Sequence, residues 1–96
     1  FERATRNTLD LSAVPVIKEK THLPIIVDPS HATGDYKYIE SMVLAAVAAG
    51  ADGLEIEVHD DPPHAWSDGA QCLKPDKFAD VIAKCRKVAA AIGREM

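Results

Sequence analysis

The sequence predicts an α/β fold in which two parallel strands alternate with helices. Residues 23–27 form an apolar run rich in β-branched side chains, typical of a parallel strand buried on both faces, and residues 53–59 form a second strand pattern. Between them, residues 36–49 have apolar side chains at three- and four-residue spacing, which indicates a helix. Because a strand, a helix and a strand form a right-handed crossover, we expect the two strands to be parallel neighbours.

Two further helices flank this unit. A helix over 11–20 is predicted from its apolar spacing, with Ser12 as the N-cap, and its charged residues, including Lys18, are interpreted as a solvated face. A last helix begins at Pro75, since proline is favoured in the first helical turn, and its apolar face includes Cys85. We therefore expect Cys85 to be a core thiol.

Composition excludes several classes of protein. The net charge of -4 and the lack of a Lys/Arg cluster argue against a nucleic-acid-binding protein. The longest apolar stretch, 42–49, is far shorter than the roughly 20 residues that span a bilayer, so no membrane association is expected. Cys72 and Cys85 lack C-x-x-C spacing, which fits a reducing cytoplasm. The chain begins with Phe1 and not with methionine, so we expect a piece of a longer protein or a processed chain.

The second strand alternates between apolar and ionisable side chains. Glu55, Glu57 and His59 share one face, and burying such a face between two layers of helices would be costly. In a closed barrel the same face can line the interior near the mouth, where polar groups reach substrate, metal or water. Glu55 would lie one layer deeper than Glu57 and must be paired, protonated or hydrated.

Both strands end in residues that carry chemistry. Asp28, Ser30 and His31 follow the first strand, Glu57 ends the second, and Asp68 lies in the 12-residue loop that comes next. The carboxyl ends of parallel strands are where α/β folds collect ligand-binding groups. One imidazole and two carboxylates suit Mn, Fe or Zn better than Ca or Mg, and a metal with open positions can polarise a carbonyl group.

Each of these residues also has an ordinary structural interpretation. His31 alone could be a hydrogen-bonded histidine near a strand end, Glu57 an ion-pair partner and Asp68 a capping acid. Arg6 lies in a polar N-terminal stretch that is either a solvated loop or a place where a guanidinium holds an anionic substrate group. The conjunction of these residues at two strand ends favours the metal site.

Four motifs, in matching order and spacing, resemble those of the 3-deoxy-D-arabino-heptulosonate 7-phosphate (DAHP) synthase family in its shorter, I-beta form. They are Arg6-Asn7-Thr8-Leu9-Asp10, Val27-Asp28-Pro29-Ser30-His31, Ile56-Glu57-Val58-His59 and Ser67-Asp68-Gly69-Ala70-Gln71. The resemblance covers essentially all 96 residues. It implies the C-terminal portion of a single TIM (β/α)8 barrel domain, with no internal boundary: the sixth helix, seventh strand, seventh helix, eighth strand and eighth helix.

The resemblance also implies an activity and a ligand set. The family condenses phosphoenolpyruvate with erythrose 4-phosphate and releases phosphate, the first step of the shikimate pathway to aromatic amino acids. Its divalent metal (Mn, Fe, Co or Zn) is held by Cys, His, Glu and Asp, which makes His31, Glu57 and Asp68 the last three ligands and the expected catalytic residues. Neither Cys72 nor Cys85 matches the family's metal cysteine.

The resemblance also suggests substrate-binding residues, and the chain differs from the family pattern in several places. Arg6, Asp28 and Ser30 are candidates for binding substrate. The family's Lys-Pro-Arg-Thr and Glu-Arg-Gly segments are absent from this chain, and Glu55 stands where an apolar residue is expected. A barrel needs about 250 residues to close, so the isolated segment is expected to be unstable, self-associating or inactive. The resemblance implies that the intact enzyme is a homo-oligomer. The alternatives are 3-deoxy-D-manno-octulosonate 8-phosphate synthase and a non-catalytic segment that acts only in assembly.

Overall fold

A computed structural model describes residues 10–30, 36–59 and 72–96. Helices and strands alternate through these ranges, and a short 3-10 turn, Tyr36–Tyr38, leads into the second helix. The elements are α1 (Ala13–Lys20), β1 (Ile26–Val27), α2 (Ile39–Ala49), β2 (Gly53–Leu54) and α3 (Pro75–Ala91). The predicted mixture of helices and strands is confirmed.

The two strands pair in parallel, with Ile26 opposite Gly53 and Val27 opposite Leu54. The ladder runs from the Gly53 N–H to the Ile25 carbonyl, at 3.2 Å, and from the Glu55 N–H to the Val27 carbonyl, at 2.9 Å. The predicted parallel crossover is therefore confirmed. The predicted strand lengths were too great, because regular pairing covers only two residues of each strand.

Helices cover only one face of β1 in the described part of the chain. Val27 is buried together with Val14 of α1 and Ala46 of α2. Ile26, which points to the opposite face, is 61% exposed. The expectation that this strand is covered on both faces is wrong for the described residues, since α1 and α2 pack on the same side of the sheet.

The main core lies between α2 and α3. Its buried members are Ile39, Val43, Val47, Leu73, Val81, Cys85 and Ala89. Cys85 is completely buried, as predicted, and burial raises the pKa of its thiol. Pro75 occupies the first turn of α3, and α2 ends at Gly50, whose φ of 101° is in the left-handed region that favours glycine. None of the helices in the described ranges is long and apolar enough to span a bilayer.

Ser12 is the N-cap residue of α1, as predicted, and Asp10 hydrogen-bonds to it. The Asp10 carboxylate accepts hydrogen bonds from the backbone N–H of Ser12, at 3.1 Å, and from the Ser12 hydroxyl. Ser12 has helical backbone angles, and its side chain makes no capping hydrogen bond to the helix. The predicted position of the N-cap is therefore confirmed, and the side chain that makes the local hydrogen bonds is that of Asp10.

Asp52, in the turn before β2, joins three distant parts of the chain. Its carboxylate accepts hydrogen bonds from Lys18 Nζ at 2.8 and 3.0 Å, from the Ile25 backbone N–H at 2.9 Å and from Arg94 Nη2 at 2.8 Å. These donors hold the pKa of Asp52 well below its usual range. Lys18 is exposed, as predicted, and its ammonium group also binds Asp52, a contact that the sequence analysis did not anticipate.

A second ionic cluster joins α2 to α3. Glu40 lies 2.8 Å from Lys84 Nζ and 3.2 Å from Lys77 Nζ, and both lysines also lie 3.5 Å from Asp80. Hydrogen bonds from Lys84 and Lys77 lower the pKa of Glu40, and the same contact raises the pKa of Lys84. All four side chains are partly exposed, so the cluster adds orientation between the helices more than stability.

Candidate functional site

The carboxyl ends of β1 and β2 meet at one edge of the sheet. Asp28 follows β1 directly, and Glu57 lies three residues beyond β2. Side chains alternate along extended chains, so residue 28 is on the same face as Ile26, and residue 57 is on the same face as Gly53. Ile26 and Gly53 are partners in register, so these faces are one face of the sheet. This is the face that the helices leave uncovered. The fold thus brings two of the predicted site residues to the same edge and the same face.

A hydrogen bond connects the two strand ends. The backbone N–H of Glu57 donates to Ser30 Oγ at 3.0 Å. Ser30 is completely buried, and it and Pro29 have helical backbone where the chain leaves β1. The segment predicted to carry His31 and the segment predicted to carry Glu57 are therefore in direct contact.

Leu73 holds Glu57 from the other side. Its backbone N–H donates to the Glu57 carbonyl, and its carbonyl accepts the His59 N–H, both at 2.9 Å. Val58 and Leu73 form a parallel bridge, so the chain that ends at residue 59 and the chain that resumes at residue 72 are joined. Sequence reasoning missed this contact, although the apolar pair of Cys72 and Leu73 between a polar loop and Pro75 was a usable signal.

The predicted metal site is only partly within the described residues. Arg6, His31 and Asp68 lie outside them, so the joint arrangement of the three ligands stays a prediction. Across 10–30, 36–59 and 72–96, no group of three or more His, Cys, Asp or Glu residues could hold a metal ion. Glu57 is half-buried on a main chain fixed through its N–H and its carbonyl. A carboxylate carried by a fixed main chain fits the predicted donor set of one imidazole and two carboxylates.

The chain is similar to proteins that share the predicted chemistry. It is 48% identical over 93 residues to the phospho-2-dehydro-3-deoxyheptonate aldolase of Thermotoga maritima, a match that covers 97% of this chain and 28% of that protein. It is 34% identical over 98 residues to a 2-dehydro-3-deoxyphosphooctonate aldolase of Koribacter versatilis, covering 88% of this chain and 34% of the relative. The chain therefore spans about a third or less of the length of these relatives.

Solved structures agree with the sequence matches. A truncated form of 3-deoxy-D-arabino-heptulosonate 7-phosphate synthase from Thermotoga maritima superposes with a TM-score of 0.95 at 47% identity, covering 99% of this chain and 36% of that one. A second structure, of the phospho-2-dehydro-3-deoxyheptonate aldolase from the same organism, gives the same TM-score and identity and is covered over 28% of its length. The family model described as the DAHP synthetase I family matches residues 1–92. From its sequence and from its fold, this chain belongs to the DAHP synthetase I family.

Proposed function

We propose that this chain is the closing portion of a (β/α)8 barrel that condenses phosphoenolpyruvate with erythrose 4-phosphate and consumes one water molecule to give DAHP and phosphate. The family match supports this proposal, and so does the higher identity to the heptonate aldolase, 48%, than to the octonate aldolase, 34%. In this proposal α1, β1, α2, β2 and α3 are the sixth helix to the eighth helix of the barrel. The intact enzyme is proposed to be cytoplasmic and homo-oligomeric.

The observation that carries the proposal is the parallel pairing of β1 and β2, which places residues 28 and 57 at one edge of the sheet. One face of the two-stranded sheet packs on helices, and the other bears Ile26 and the glutamates that follow β2. Strands of a (β/α)8 barrel have this organisation, with helices outside and side chains inside, and active sites at the carboxyl ends of the strands. The Glu57 to Ser30 hydrogen bond joins the two ends at that place.

In the proposed site, His31, Glu57 and Asp68 hold a divalent cation, either Mn, Fe, Co or Zn. The cation, when bound, supplies Lewis-acid polarisation of the aldehyde of erythrose 4-phosphate. Asp68, the third of these ligands, is also proposed to assist proton transfer during the reaction. The Arg6 guanidinium binds a phosphate or carboxylate group of the substrates, because its fork of donors matches their oxygens.

The remaining substrate contacts are proposed at the end of β1. Asp28 follows the strand directly and lies on the helix-free face, where it can contact a substrate hydroxyl. Ser30 was predicted to bind substrate from its place in the Asp-Pro-Ser-His motif, and this stays a prediction. Its hydroxyl oxygen already accepts the Glu57 N–H in a completely buried position.

A coupled assay on the full-length protein that carries this chain tests the proposal. Phosphate release from phosphoenolpyruvate is measured with erythrose 4-phosphate and, separately, with arabinose 5-phosphate. Activity with erythrose 4-phosphate supports the heptulosonate reaction, and activity only with arabinose 5-phosphate contradicts it in favour of the octulosonate reaction. Absence of both activities in a folded, metal-loaded protein would favour a non-catalytic role.

The ligand assignment has its own test and a matched control. Glu57→Gln removes the carboxylate charge at the site, whereas Glu19→Gln makes the same change at an exposed position of α1. We expect Glu57→Gln to weaken manganese binding and to reduce kcat, and Glu19→Gln to leave both unchanged. Equal manganese affinity in the two variants, measured by calorimetry, would contradict the assignment of Glu57.

A further inference from the structure

The geometry points to a positioning role for Ser30: its hydroxyl replaces a missing main-chain acceptor and thereby fixes the backbone of Glu57. This inference rests on the proposed function, because it assigns Ser30 a role through the proposed metal ligand. It differs from the predicted role of Ser30 in binding substrate.

The hydrogen-bond ladder between β1 and β2 shows which acceptor is missing. In a parallel pair, N–H groups two residues apart on one strand donate to carbonyls two residues apart on the other. The N–H groups of residues 53 and 55 donate to the carbonyls of residues 25 and 27, so the repeat predicts that the N–H of residue 57 donates to the carbonyl of residue 29. The chain has already turned into helical backbone at Pro29, and Ser30 Oγ accepts this hydrogen bond at 3.0 Å.

Burial makes this contact costly to remove. Ser30 is completely buried, so water cannot readily take the place of its hydroxyl. An N–H group left without an acceptor in such a place bears the full cost of its desolvation. The carbonyl of Glu57 is held independently by Leu73, so Ser30 and Leu73 fix the same residue through its two backbone polar groups. Loss of the serine oxygen releases one of these constraints and leaves the other intact.

The test is manganese binding by the full-length protein, followed by calorimetry. Partners that orient a ligand without touching the metal typically change metal affinity about 10- to 100-fold when they are removed. We expect that weakening for Ser30→Ala. Ser41→Ala makes the same chemical change at an exposed position of α2 and is expected to leave the affinity unchanged. Hydrogen exchange of a peptide that covers residues 54–59 is expected to be faster in Ser30→Ala alone. Unchanged manganese affinity in Ser30→Ala would overturn the inference, whatever the rate of exchange.

Two more variants separate this inference from the proposed function. In the double variant Ser30→Ala/Glu57→Gln, manganese affinity should equal that of Glu57→Gln, because Ser30 acts through Glu57; additive losses would overturn the positioning role. If Glu57→Gln alone binds manganese normally, the proposed ligand set is wrong. Loss of affinity in Glu57→Gln without any loss in Ser30→Ala overturns only the inference. If Ser30→Ala does not fold, Ser30→Thr is measured in its place, since it keeps the hydroxyl oxygen. Manganese affinity within about threefold of the unmodified protein supports the inference. A loss of about 10-fold or more in the folded variant contradicts it.

Discussion

The interface between α2 and α3 offers a quantitative prediction at Val81. This side chain is completely buried in the main core, beside Cys85 on the same face of α3. Val81→Ala removes two methyl groups, which lose about 1.6 kcal/mol of transfer free energy. The cavity that remains, of roughly 50 Å³, adds about 1 kcal/mol. The higher helix propensity of alanine returns about 0.5 kcal/mol, so we expect a net destabilisation of about 2 kcal/mol.

Val16→Ala is the matched control, because Val16 lies in α1 and is 49% exposed. There the smaller loss of apolar burial and the gain in helix propensity nearly cancel, at about 0.5 kcal/mol each. Thermal unfolding of the full-length protein should show a Tm lower by roughly 4–8 °C for Val81→Ala and nearly unchanged for Val16→Ala. Equal shifts in the two variants would refute the placement of the main core between α2 and α3.

Three other predictions concern acid, thiols and the isolated chain. The pKa of Asp52 is held below its ordinary value of 3.8, so its contacts stabilise the fold above that pH and are lost as the pH falls through the lowered pKa. Asp52→Asn should therefore lower Tm at neutral pH, by an amount that shrinks below pH 3.8; equal Tm values at neutral pH would contradict this. Cys72 and Cys85 are buried, so iodoacetamide should label both only after denaturation. Labelling of either thiol in the native protein, mapped by mass spectrometry, would contradict their burial. The isolated 96-residue chain should self-associate in analytical ultracentrifugation and show no tight manganese binding by calorimetry, and a monomer with cooperative unfolding would contradict this.

The features that sequence could predict are those set by local pattern. The apolar spacing of α2 and α3, Pro75 in a first helical turn and Gly50 at a helix end each depend on a few neighbouring residues. The burial of Cys85 follows from its place on the apolar face of α3. In the same way, the rule that parallel strands end at one edge was sufficient to predict that the residues following β1 and β2 lie at the same edge of the sheet.

The features that sequence could not predict depend on which surfaces meet. The exposure of Ile26 depends on both α1 and α2 packing on the opposite face of β1. The Ser30 to Glu57 hydrogen bond depends on the residue at which the first strand turns helical, and strand ends are poorly marked in a sequence. The contact between Lys18 and Asp52 joins residues 34 positions apart, and no local pattern predicts it. The hydrogen bond from the Ile25 N–H to Asp52 had a usable signal, because a carboxylate just before one strand can accept a backbone N–H at the start of the neighbouring strand.

The contacts of Asp52 have a consequence for the order in which the chain assembles. They join Asp52 to residues 34, 27 and 42 positions away in sequence, at Lys18, Ile25 and Arg94. The ion pairs are made by partly exposed side chains outside the buried core, so we expect them to form after the rate-limiting step of folding. Asp52→Asn should then accelerate unfolding and leave the refolding rate nearly unchanged. In that case Asp52 sets the lifetime of the folded state through the unfolding rate, and it has little influence on the rate at which the folded state forms.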